Sequence, residues 1–74
     1  MKTNPLRTWR LANKKRALDV AIKLGVSEQS VLSYELGRFK PSRKHFDAIA
    51  TLMGEDVAKL NLSWSFWERT NRGA

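Results

Sequence analysis

Cysteine is absent from this 74-residue chain, and histidine occurs once, as His45. The first absence excludes a disulfide framework, and the two together exclude the common Cys/His zinc sites. Long apolar runs are missing too. None exceeds three residues, as in Val20-Ala21-Ile22, whereas a bilayer-spanning helix needs about 18. No signal-peptide-like apolar stretch is present, so the expected address is the cytoplasm. Catalytic groupings are equally scarce: one His, no Gly-rich phosphate loop and no paired acids of the kind a cleft would use. The expectation is a non-enzyme without metal or cofactor. Proline is confined to Pro5 and Pro41, both beside helix-start signals, so no helix interior is broken.

What remains is a small folded domain with a strong charge bias. At 42% hydrophobic and 28% charged residues the composition is that of a globular protein. A chain of this length buries about 60% of its unfolded surface, enough for one modest core. Lys and Arg number 14 against 7 acids, for a net charge of +7 and an isoelectric point near 10.4. Such a field favours polyanions, nucleic acid before membrane. The bases are clustered. Lys2, Arg7, Arg10, Lys14, Lys15 and Arg16 occur before any acid, and Arg38, Lys40, Arg43 and Lys44 form a second group, with a nearly neutral segment between. Most surface charge runs are merely solvated; two that bracket a polar segment fit a phosphate clamp. Membrane-surface binding fits poorly, since the bases lie at loops and helix ends and not along one amphipathic stripe.

Local signals predict helices almost throughout. Asn4-Pro5 starts a first helix over about 5–12, carrying Leu6 and Trp9 and ended at Asn13, which tolerates the left-handed conformation. A second helix covers 16–24 and stops at Gly25. Ser27 caps a third over 28–36, closed by Gly37. Ser42 caps a fourth, in which Phe46, Ile49, Ala50 and Met53 recur at helical spacing before Gly54. Asp56 caps a short fifth. In the segment 60–67, two periods compete. Leu60, Leu62, Trp64 and Phe66 alternate as in a strand, while Val57, Leu60, Trp64 and Trp67 share one face of a helix that Gly73 could end. Residues 61–74 are expected to cover the core or to dimerise through Trp64, Phe66 and Trp67, with residues 1–60 as the domain proper.

The segment around Gly25 carries the functional signal. Gly25 supplies a positive φ for a sharp turn, and Ala21, four residues earlier, is small enough for two helices to approach closely. Val20, Leu24, Val26, Val31 and Tyr34 then fill the space beneath. Glu28, Gln29, Ser30 and Ser33 are left on an outer, polar face, which is what a major-groove reader needs.

Those residues resemble a known family. Val20-Ala21-Ile22-Lys23-Leu24-Gly25-Val26-Ser27, Val31, Tyr34-Glu35-x-Gly37, Pro41-Ser42 and Leu52-Met53-Gly54 look like the phage-repressor/Cro-type (XRE-like) helix-turn-helix domain, over roughly residues 6–60. The resemblance implies a compact, all-α, five-helix fold and a cytoplasmic, bacterial, phage- or plasmid-encoded regulator that binds double-stranded DNA as a homodimer. It places Glu28, Gln29 and Ser33 at base edges and Ser30 at base or phosphate, and pairs Arg10 with Glu35 as a structural link. Gln can bond adenine N6 and N7, and Glu can accept from cytosine N4. Lys14, Lys15, Arg16, Arg38, Lys40, Arg43 and Lys44 are the expected phosphate contacts. The chain departs from the family where helix 2 opens: Arg16-Ala17 stands in place of a Ser/Thr cap and a phosphate-gripping Gln. Leu32 is expected either to touch a thymine methyl or to be partly buried. An alternative function is an antitoxin-like module whose aromatic tail grips a protein partner.

Overall fold

The computed structural model describes residues 3–72, and all regular structure among them is helical. The order is α1 (Pro5–Ala12), α2 (Ala17–Leu24), α3 (Glu28–Leu36), α4 (Arg43–Met53) and α5 (Val57–Arg72). Each start has a local cause. The Asn4 Oδ1 accepts the Leu6 and Arg7 amides at 2.8 and 3.2 Å. Ser27 Oγ takes the Ser30 amide and Ser42 Oγ the His45 amide, and Asp56 Oδ2 takes that of Lys59. These side chains satisfy amides that have no partner within the helix. α2 solves the same problem differently. Arg16 offers no acceptor, so Asp19, in the first turn, reaches back and accepts the Arg16 amide at 2.9 Å.

The left-handed residue after α1 is not Asn13. Asn13 has φ −96° and instead donates from its side-chain amide to the Trp9 carbonyl at 2.8 Å. Lys14 takes the positive φ, at 55°, a conformation that costs a residue bearing a Cβ about 1–2 kcal/mol.

α2 packs most extensively on α3, and α5 lies against both α1 and α4. The core is built from Leu6, Val20, Val31, Ile49, Ala50 and Trp64, all without solvent exposure, with Ala21, Leu60, Tyr34, Phe46 and Trp67 around them. Trp64 presents its ring to Phe46 at 5.4 Å and to Trp67 at 6.2 Å, both edge-to-face. This packing selects helix over strand for residues 60–67: only helical spacing brings Leu60, Trp64 and Trp67 to one side. α5 is therefore one 16-residue helix, and the expected boundary at residue 60 falls within it. Residues 61–70 belong to the same folding unit as the rest. Gly73, the expected stop for the helix, lies outside the described residues. No helix among the described residues is long and apolar enough to cross a membrane.

Candidate nucleic-acid interface

The turn between α2 and α3 sets the geometry of the site. Gly25 adopts φ +72°, and an added Cβ would meet nothing within 4 Å. The requirement for glycine here is thus conformational and not steric. The Gly25 and Val26 amides close the turn onto the Ile22 and Ala21 carbonyls. Ala21 itself is buried where the two helices meet.

α3 is fixed from beneath by Val31 and Tyr34, both buried, and from the side by an ion pair. Arg10 Nε donates to Glu35 Oε2 at 2.7 Å, and Arg10 Nη2 donates to Glu35 Oε1 at 2.9 Å. The side chains are 9% and 1% exposed, so this is a buried two-pronged contact of the stronger kind. The bond to Glu35 raises the Arg10 pKa further above its usual value, against the opposing effect of burial. Arg7 approaches Glu35 Oε1 at 3.5 Å from a half-exposed position. Burial also pushes the Tyr34 hydroxyl pKa upward, and the Asn4 side-chain amide donates to the Tyr34 carbonyl at 3.5 Å.

Both basic segments are tied to α3. Arg10 Nη1 donates to the Lys15 carbonyl at 3.1 Å, so one guanidinium connects the Lys14–Arg16 segment with Glu35. Just beyond the carboxyl end of α3, the Arg38 amide donates to the Ser33 carbonyl at 3.0 Å, and Phe39 packs edge-on against Tyr34 at 5.4 Å. Lys14, Lys15, Arg16, Arg38, Lys40, Arg43 and Lys44 are all exposed. Two of them already have partners. Arg16 pairs with Asp19 at 3.3 Å, an exposed contact of the kind worth little to stability. The Arg16 backbone amide, then its guanidinium, hold the Asp19 carboxyl below the usual carboxylate range. Lys40 Nζ donates to Asn61 Oδ1 at 3.2 Å and lies 5.6 Å from the centre of the Phe46 ring. The N-terminus of α4, capped by Ser42 and bearing Arg43 and Lys44, offers amides of the type that bind phosphate.

The outer face of α3 differs in part from the sequence expectation. Glu28 and Gln29 are exposed, and Ser30 is half-buried with its hydroxyl 3.0 Å from that of Ser27. Ser33 is a correction: it is 7% exposed, and a base edge has no access to it. Ser33 lies one residue from Tyr34 and two from Val31, both buried, at the edge of the face that α3 turns to the core. The solvent-facing strip instead runs through Gln29, half-buried Leu32 and Leu36, which is 65% exposed. Leu36 and the half-exposed Phe39 carried no sequence signal for exposure, since an apolar residue beside a core position reads as core.

The proposed dimer contacts also change. Trp64 and Trp67 are 0% and 8% exposed and belong to the core of the single chain, so neither offers a surface to a second copy. Trp67 closes over Gly37, where a Cβ would lie 2.9 Å from the indole ring. Phe66 is 49% exposed and, with Leu62 four residues earlier at 71%, faces outward on α5. No family model matches the chain, and neither a curated protein nor a solved structure matches it.

Proposed function

We propose that the chain is a sequence-specific double-stranded-DNA-binding regulator of the repressor-like helix-turn-helix type, with α3 as the reading helix. One observation carries this reading. The amino-terminal half of α3 exposes Glu28 and Gln29, while two exposed basic segments are linked to the same helix, Lys14–Arg16 by way of the Arg10 guanidinium on Glu35 and Arg38 by its own amide on Ser33. A helix so held has its register fixed by phosphate contacts and its side chains free to discriminate bases. Lys14, Lys15, Arg16, Arg38, Lys40, Arg43 and Lys44 would neutralise phosphates, Gln29 would read adenine, and Glu28 would accept from cytosine. Two copies would lie about 34 Å apart on a palindromic site.

Selection of bound sites from random duplex DNA tests the proposal, with a palindrome as the expected outcome. Gln29→Ala is then expected to cost about 1–3 kcal/mol at one base pair and to relax the preference there. Arg43→Ala is expected to weaken binding to every sequence and to flatten the salt slope by about 0.9. Preferences left intact by Gln29→Ala would refute the assigned reading face.

A second reading, a protein-interaction module that binds DNA only to regulate itself, is favoured by the outward-facing Leu62 and Phe66 on α5. Sedimentation of the purified chain separates the two. Self-association supports the dimeric regulator, and a stable monomer that captures a partner protein through α5 supports the module.

A further inference from the structure

The solvent-facing strip of α3 is only half polar. Ser33 is withdrawn into the interior, and Leu32 stands in the strip between Gln29 and Leu36. Leu32 is half-buried and packs against the core cluster, which leaves part of the residue open to solvent. It follows Gln29 by three residues and Glu28 by four, which puts all three on neighbouring positions of one helix face. The step from Gln29 to Leu32 is about 4.5 Å along the axis, close to the spacing of about 3.4 Å between successive bases on a strand. Leu36 lies a further turn away, towards the carboxyl end, whereas reading helices contact bases with their amino-terminal residues.

We propose that Leu32 reads a thymine C5-methyl group in the major groove, at the base pair next to the one contacted by Gln29. This rests on the assignment of α3 as the reading helix and adds a chemical class to its target: a duplex with a methylated pyrimidine, thymine or 5-methylcytosine, at that position. The C5-methyl is the one apolar feature that a base pair presents in the major groove, and an apolar side chain is its natural contact. A leucine already packed in part against the core has less rotamer freedom to give up on binding than a fully exposed one.

The test uses the site selected from random DNA and the intact chain. Each thymine is replaced in turn by deoxyuridine, which removes only the methyl. At one position beside the Gln29-dependent pair, affinity is expected to fall about fourfold, the value of one buried methyl. 5-Methylcytosine there is expected to bind better than cytosine by a similar factor. Leu32→Ala is expected to bind thymine and uracil duplexes equally while retaining the Gln29-dependent preference. Should that variant fail to fold, the uracil and 5-methylcytosine duplexes decide the matter with the unaltered protein. Uracil tolerated at every position, with Gln29→Ala still relaxing one preference, would overturn the role of Leu32 and leave α3 as the reader. If no base preference responds to Gln29→Ala, both proposals fall.

Discussion

Replacing Glu35 by Gln tests whether the buried contact between α1 and α3 holds the domain together. Glu35 is 1% exposed at its side chain and accepts two bonds from Arg10, at 2.7 and 2.9 Å. Glu35→Gln keeps the shape but leaves a guanidinium 9% exposed without its counter-charge. Removing one member of a buried pair costs about 3–5 kcal/mol. A chain of this length has only about 4–11 kcal/mol in total. Each kcal/mol moves the midpoint of a 60–100-residue domain by about 4–8 °C. Thermal unfolding followed by circular dichroism is therefore expected to show a drop of at least about 12 °C. Two controls isolate the cause. Arg7→Ala removes only the 3.5 Å contact from a 45% exposed side chain and is expected to cost under about 1 kcal/mol. The double change Arg10→Met with Glu35→Leu removes both charges and is expected to recover most of the loss, because burying an ion pair is itself expensive. A fall of less than about 4 °C for Glu35→Gln would refute the reasoning.

Two further outcomes follow from backbone and charge. Gly37→Ala is expected to be more destabilising than Gly25→Ala. Both positions have positive φ, but only at Gly37 does the new Cβ meet the Trp67 ring, at 2.9 Å; the difference, about 1–3 kcal/mol for overpacking, is read from urea midpoints. Asp19 has its pKa lowered in the folded state by the Arg16 amide and guanidinium. Its contribution is therefore present above the ordinary carboxylate range and lost as pH falls through the folded value. Asp19→Asn is expected to match the parent chain in the acid limit and to fall below it at neutral pH, and NMR titration of the Asp19 carboxyl should give a midpoint below that of a free aspartate.

Helix boundaries were largely legible because their causes are local. Asn4-Pro5, Ser27 and Ser42 satisfy amides within one turn of themselves, and Gly25, Gly37 and Gly54 stop helices by a backbone conformation that needs no partner. The α2 start was harder. Its acceptor, Asp19, stands where a side chain must reach back to the cap, and Arg16 hides the signal. Asn13 misled for a related reason: both it and Lys14 can end a helix, and the bond from Asn13 to Trp9 leaves the turn to Lys14. At the candidate interface, the exposure of Glu28 and Gln29 follows the helical period. The burial of Ser33 does not, since how much of a helix face is covered depends on the packing around it.

Local sequence was enough for the helical character of residues 5–57, for most of the caps and stops, for the two basic clusters and for the turn at Gly25, because each is a property of a few consecutive residues or of composition. The remainder was settled by packing. Residues 60–67 fit both a strand period and a helix period, and the choice between them came from Trp67 joining Leu60 and Trp64 in the core, a set that only helical spacing brings to one side. The same packing turned Trp64 and Trp67 inward and left Leu62 and Phe66 outside. An amphipathic pattern says which residues share a face; which face is covered depends on where another part of the chain comes to lie.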